Sequence, residues 1–223
     1  LNPDRDPWAQ HAIGHAIVAM GQPVEARAFL HSVSHSWDRC SSFMLTHNWW
    51  HLALLELELG NIGGALALFD ERVWGVRKGH VQDQVNAISL LARLAMHGGR
   101  LGWRWDDVAS HVEDRVTDRI SPFLDLHYLI ALINAGRDGA ARRLTDALQC
   151  DGVAGALAKG ILFHANQDYA QAAAVLAPVC PRLCDIGGSN IQRELFESIF
   201  IDSVNRARRD ITLIDQGDYR VAA

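Results

Sequence analysis

Apolar residues recur at intervals of three and four through almost the whole chain, the spacing of amphipathic helices rather than the two-residue alternation of strands. The pattern predicts six helix pairs: Trp8–Met20 with Val24–Val33, Phe43–Leu59 with Ile62–Trp74, Val85–His97 with Asp106–Val116, Phe123–Ala135 with Gly139–Leu148, Val153–Asn166 with Tyr169–Val179, and Ile191–Val204 with Arg208–Ile214. Only six prolines occur, and the Ala/Leu stretches end at glycines. Both features favour helices. The fold class expected is all-α.

The turns inside these pairs resemble one another. GQPVEARAFL from Gly21, GNIGGALALF from Gly60, GRDGAARRLT from Gly136 and QDYAQAAAVL from Gln167 each place an alanine five positions after the turn residue, at Ala26, Ala65, Ala141 and Ala172. Gly98 supplies a further turn in phase. A glycine at the turn can take the left-handed conformation that ends a helix, and a small alanine lets the second helix approach the first. A repeat of about 34 residues with this turn is the tetratricopeptide type, whose single hairpins cannot bury their apolar faces and must stack. The connections Ser34–Ser42 and Gly75–Gln82 are longer than a regular array needs. The expectation is therefore an irregular tetratricopeptide-like α-solenoid of about six hairpins, curling towards a bowl, as one helical repeat domain over residues 1–223.

Composition narrows the functions. Twenty-one basic and 26 acidic side chains leave a net charge of −5 with histidines neutral. That balance argues against a nucleic-acid or membrane partner, since both need excess Lys/Arg. No apolar run reaches the roughly 20 residues of a membrane-crossing helix. The four cysteines, Cys40, Cys150, Cys180 and Cys184, lack zinc-ribbon spacing, and the opening LNPDRDPW is neither a secretory nor a transit signal. A reducing, cytoplasmic setting is expected. Cys180 and Cys184 around Pro181 admit a redox or metal reading beside that of two ordinary thiols.

Particular strings carry a family likeness. DPWAQHAIGHAI (Asp6 to Ile17), HNWWHLALLELELG (His47 to Gly60), LLARL (Leu90 to Leu94), Arg104–Trp105, DLHYLIALINAGR (Asp125 to Arg137) and IGGSNIQRELF (Ile186 to Phe196) occur in an order that resembles the tetratricopeptide repeat protein 38 family. Asn86 and Asn190 depart from the pattern, standing where the family has Asp and His. The resemblance implies a tetratricopeptide-like helical bowl whose first helices line the concave wall, and a chain corresponding to the later part of a longer protein. It implies no defined activity.

Candidate chemistry concentrates in histidines. His11 and His15 are four apart on one predicted helix, and His47 and His51 repeat that spacing on another, so each pair projects from a single helix face. Both pairs lie on first helices, and the resemblance therefore implies that they face one cavity. Asp125 and His127 begin another first helix, two residues apart, so only one of them is expected to look inward. The HExxH template is absent. A divalent metal site would rest on His47 and His51 with carboxylates from elsewhere, Asp70 and Asp125 being candidates. Metal ligation, a polar pocket without metal and structural histidines all remain open readings.

The adjacent Trp49 and Trp50 point about 100° apart, so one can pack between repeats while the other lies at a cavity rim or floor. Trp8, Trp103 and Trp105 could extend an aromatic wall, although core packing is commoner. Asn48, lodged among aromatics, is expected to have a defined hydrogen-bond partner. In IGGSNIQRELF, Ser189 and Gln192 fit a capping box, and the helix start beside Arg193 could also receive a carboxylate or phosphate. No nucleophile elbow, P-loop or dinucleotide signature occurs.

Two classes of function follow. One is an interaction module holding a peptide or partner protein in a concave groove. The other is a pocket in which His11, His15, His47, Asn48, Trp50, His51, Asp125, His127, Ser189 and Arg193 bind, or as a metal-dependent hydrolase transform, a small polar or anionic ligand.

Overall fold

Helix endings set the layout. The five turn residues named above, Gly21, Gly60, Gly98, Gly136 and Gln167, all take positive φ, from +63° to +79°. The next amide then reaches back to a carbonyl five residues earlier, as in Asn61 to Glu56 at 2.8 Å, Arg137 to Leu132 at 2.8 Å and Asp168 to Phe163 at 2.9 Å. This is the Schellman closure, which satisfies carbonyls that would otherwise be orphaned and reverses the chain.

The computed structural model describes the backbone of residues 6–221, and the side chains of these apart from residues 42 and 211–221. The opening Leu1–Arg5, read above for targeting signals, lies outside the described residues. The described residues are helical with no strand, and the chain forms two compact units, Leu1–His111 and Val112–Ala223. Among the described residues no helix is long and apolar enough to cross a membrane. All four cysteines are free thiols.

The first unit contains α1 (Pro7–Ala19), α2 (Pro23–Val33), α3 (Ser42–Glu58), α4 (Ile62–Leu68), α5 (Val81–Met96) and α6 (Arg104–Val112). Ala26 and Ala65, one turn into α2 and α4, are fully buried, as close packing against the preceding helix requires. Contacts between first helices advance in step: Trp8 with Phe43, His11 with His47, His15 with His51. Thr46 with Asp83 and His47 with Asn86 continue this from α3 to α5. The helices α1, α3 and α5 therefore run in the same direction, in register.

The long connection between α2 and α3 is structured. Ser34–Arg39 is a 3₁₀ segment whose Trp37 is fully buried, donates from Nε1 to Gln10 Oε1 at 2.8 Å and meets Trp49 edge-on at 4.9 Å. After α4, a π-helical turn at Phe69–Val73 places Asp70 against the Arg104 guanidinium, with Nε 2.7 Å from Oδ1 and Nη2 2.5 Å from Oδ2. Beyond it, Asp107 of α6 accepts from Trp74 Nε1 at 2.7 Å and Lys78 Nζ at 2.6 Å.

Glu56, near the end of α3, ties the first two hairpins together. Its carboxylate accepts from Asn61 Nδ2 at 2.7 Å and His31 Nε2 at 3.3 Å, and pairs with Arg27 at 3.5 Å. Burial works to raise its pKa. The donors from Asn61 and His31 and the charge of Arg27 outweigh that and hold it below the ordinary value.

The second unit contains α7 (Pro122–Asn134), α8 (Asp138–Leu148), α9 (Gly152–Ala165), α10 (Tyr169–Leu176) and α11 (Asn190–Val221). Ala141 and Ala172 are buried in the same role as their counterparts, and Gly160 of α9 lies where an added Cβ would come within 2.4 Å of Leu176. One expectation is corrected here. Residues Ile191–Val204 and Arg208–Ile214 are not a hairpin but parts of the single helix α11. The intervening Asn205, Arg206 and Ala207 include neither glycine nor proline, and Arg206 pairs with Asp202 at 2.7 Å across one turn.

Gln167 holds the left-handed turn at φ +63° without glycine's freedom. Gln167→Gly is expected to raise stability by about 1 kcal/mol in chemical denaturation. Glu56→Ala, which strips Asn61, Arg27 and His31 of their shared acceptor, is expected to lower it by about 2 kcal/mol in the same measurement.

Candidate functional site

The in-register packing of α1 on α3 brings four imidazoles together. His11 Nε2 lies 3.0 Å from His51 Nε2 and 3.1 Å from His15 Nε2, and His51 Nε2 lies 3.1 Å from His47 Nε2. The ring centres of His11 and His47 are 5.0 Å apart, and those of His15 and His51 are 4.5 Å apart. The spacing of four residues on each helix puts both histidines of a pair on one face, and the parallel register aligns the two faces.

These contacts exceed what hydrogen bonding can satisfy. Each Nε2 offers one in-plane position, either a hydrogen or a lone pair. Four such atoms can form at most two linear hydrogen bonds, yet three contacts of 3.0–3.1 Å join them. His47 is oriented from behind, its Nδ1 lying 3.4 Å from Asn86 Oδ1 on α5. With Oδ1 as acceptor, His47 carries its proton on Nδ1 and aims an Nε2 lone pair into the cluster.

The floor is aromatic. Trp50 is fully buried, stacks on His47 with centres 5.3 Å apart and planes at 17°, and meets His51 edge-on at 4.8 Å. Phe43 stacks on the same imidazole at 5.1 Å. Trp49, also buried, points instead to Trp37 and lies 5.0 Å from the Arg72 guanidinium carbon. The two adjacent indoles thus divide between the site and the packing. Of the other tryptophans, Trp8 and Trp103 are exposed and Trp105 is buried. Trp103 lies against Arg104, and among the described residues neither Trp103 nor Trp105 has ring contact with the histidines.

Burial disfavours the imidazolium form, and the neighbouring histidines add mutual repulsion. His11 is pushed down to about 4 by burial first and then by His47 and His15. His47 is also pushed down to about 4 by burial, which outweighs the Asn86 hydrogen bond. His51 falls well below its ordinary value through burial, then His47, His11 and His15, with Arg93 of α5 adding to the effect. At neutral pH His11, His47 and His51 are uncharged nitrogen donors.

A buried polar stripe on α5 backs the site. Asp83 is fully buried and accepts from Thr46 Oγ1 at 2.6 Å. Asn86 follows one turn later, and Arg93, also buried, donates to Ser89 and lies 5.9 Å from the Trp50 ring. The supporting role of these residues, Asn86 included, was not read from the sequence. Their signal was the separation of His47 from Asn86, which equals that of the turns Gly21 and Gly60. Asn48 is buried, but neither amide atom meets a hydrogen-bonding group among the described residues, contrary to the defined partner expected for it.

The carboxylates suggested as further ligands are engaged elsewhere. Asp70 is held by Arg104. Asp125 belongs to the second unit, where it is buried and pairs with Arg119 at 3.3 Å. Its burial raises its pKa against the pull of Arg119. His127 is fully buried in that unit, donates from Nδ1 to the Phe123 carbonyl at 2.7 Å, and packs between the rings of Phe123 and Phe196. Ser189 forms the capping box, its amide donating to Gln192 Oε1 at 2.9 Å and its Oγ accepting from the Gln192 amide at 3.4 Å. Arg193 donates to the Gly187 and Gly188 carbonyls and to Asn190 Oδ1, so the guanidinium braces the turn rather than standing open to an anion. Gly188, at φ +76°, lies so near Phe123 that a Cβ would come within 2.5 Å of its ring.

No protein-family model matches the chain, and no solved structure matches it.

Because His11 and His47 titrate near 4 when folded and near 6.5 when unfolded, the unfolded chain binds more protons between those values. The metal-free protein is therefore expected to keep its full stability above pH 6.5 and to lose it as the pH falls towards 4. Denaturation midpoints measured across that range should show a steep loss that flattens in a His11→Phe/His47→Phe double variant.

Proposed function

We propose that this chain is a tetratricopeptide-like helical-repeat protein whose first unit binds a divalent transition-metal ion through His11, His47 and His51, with His15 at the rim. One observation carries the reading: three Nε2 atoms from two parallel helices converge so closely that hydrogen bonds alone cannot satisfy them. An ion supplies a common acceptor for every lone pair. Ligands bonded at 2.0–2.1 Å stand about 3.0 Å apart at right angles and about 3.4 Å apart at a tetrahedral angle; His51 Nε2 lies 3.0 Å from His11 Nε2 and 3.1 Å from His47 Nε2, and the ligand atoms of all three lie within 4.8 Å of one another. The ligands of the cluster are all imidazole. That composition suits zinc, copper, nickel or iron and not the oxygen-seeking magnesium or calcium.

Three neutral ligands leave the ion's charge uncompensated and a coordination position for water or substrate. His11, His47 and His51 would hold a zinc-class ion, which when bound would supply Lewis acidity towards water or a polar substrate at neutral pH. The chain's residues do the rest: Asn86 holds the His47 ring, and Trp50 and Phe43 clamp it and exclude water. This supports a metal-centred site for a small polar molecule, with hydrolysis the chemistry such a site performs. The four free thiols fit a reducing compartment.

Elemental analysis of protein purified without chelators should find about one zinc-class ion per chain. His47→Ala or His51→Ala should weaken ion binding by about 100-fold or more, and Asn86→Ala by about tenfold. Absence of tight binding of zinc, copper, nickel and iron ions to the unmodified chain would refute the site.

A further inference from the structure

Beside the histidines, the first unit contains a cleft of about 780 Å³, lined by the start of α1, the 3₁₀ segment and the start of α3. Its position follows from the same register. Trp8 stands one turn before His11 on α1, and Met44 one turn before His47 on α3. Trp8 lies 6.3 Å from Phe43, and Phe43 stacks on His47 at 5.1 Å. The cleft thus continues the α1–α3 seam on which the histidines meet, one ring away from them.

Its lining is chemically mixed. Pro7, Trp8 and Met44 supply apolar groups, and Trp8 presents an indole that is 60% exposed. His35, Arg39 and Cys40 supply polar and cationic groups. Among the described residues no Asp or Glu lines the cleft. The nearby Asp6 is occupied in capping α1, accepting from the Trp8 and Ala9 amides at 3.0 and 3.3 Å, and Asp38 faces Arg72 at 3.8 Å. Arg39 has no carboxylate partner among the described residues. A large exposed indole and an exposed guanidinium lining one cleft match a flat apolar body carrying one anionic end, since guanidinium forms two parallel hydrogen bonds to a carboxylate and the indole face stacks on a ring.

We propose that this cleft binds a small aromatic carboxylate and presents it to the histidine centre, Arg39 holding the carboxylate and Trp8 with Met44 the ring. The clause about presentation rests on the metal reading above; the cleft itself contains none of the proposed ligands, so the two can fail separately. The volume lies within the range of ordinary small-molecule sites and leaves room for water around such a ligand.

The test uses 2-naphthoate and its uncharged analogue 2-naphthamide, titrated by calorimetry into the full chain, ion-free and zinc-loaded. Naphthoate should saturate a single site and bind about tenfold more tightly than the amide. Arg39→Gln should abolish that preference, Arg39→Lys should restore part of it, and Trp8→Ala should weaken both compounds. Circular dichroism checks that these exposed-site variants remain folded. Equal affinity for the two compounds, or an Arg39→Gln variant that still prefers naphthoate, overturns the cleft. Zinc loading should tighten naphthoate at least about twofold through the ion's charge. Unchanged affinity in a chain that has taken up zinc overturns the presentation of the ligand to the metal. A chain that takes up no zinc yet prefers naphthoate retains the cleft and loses the metal centre.

Discussion

The parallel, in-register packing of α1 against α3 is the constraint on which the first unit's chemistry depends. Neither helix holds a site alone: a pair of histidines four residues apart offers two nitrogens on one face and little to fix them. Register makes the difference. Because contacts along the two helices advance together from Trp8–Phe43 to His15–His51, each imidazole of α1 meets one of α3, and the same seam carries the cleft at its open end. A displacement of one residue along either helix would swing a face by about 100° and disperse the group.

That register is itself set by features remote from the histidines. The left-handed turns at Gly21 and Gly60 fix where α1 and α3 end, and the buried Ala26 and Ala65 let α2 and α4 lie close. The 3₁₀ segment between α2 and α3 is fastened by Trp37, whose indole donates to Gln10 of α1 while its ring meets Trp49 of α3. Glu56 then joins α2 to the far end of α3. The long connection is thus a clamp on the angle between helices rather than slack chain.

The energetic character of the site is the opposite of its surroundings. Most of the core is apolar, yet His47, Thr46, Asp83, Asn86, Ser89 and Arg93 are buried together on α3 and α5. Burying polar groups is costly unless they are fully satisfied, and the lone-pair count among the imidazoles is not met by hydrogen bonds alone. Burial also keeps the rings uncharged, the form in which imidazole donates to a metal. The second unit shows the contrasting case: His127 is equally buried, but it donates to a carbonyl and sits between phenylalanines, a packed core residue despite its polar ring.

Much of the architecture was legible because it is local. The 3.6-residue periodicity, the turn glycines and the alanine five positions on depend on neighbours in sequence, so the hairpins α1–α2, α3–α4, α7–α8 and α9–α10 and the Ser189–Gln192 capping box could be read residue by residue. Where local signals were weak the reading failed, as at Val204–Arg208, where a polar stretch without glycine or proline continues as helix α11. The pairing of histidines on single helix faces was likewise written in the sequence. Which faces meet was not. The meeting of α1 with α3, the support of His47 by Asn86, the engagement of Asp70 by Arg104 and the cleft beneath Trp8 join residues some 30 to 40 positions apart. Such contacts arise from the angle and register at which helices pack, quantities that belong to the summed fit of many side chains and to no single stretch of sequence.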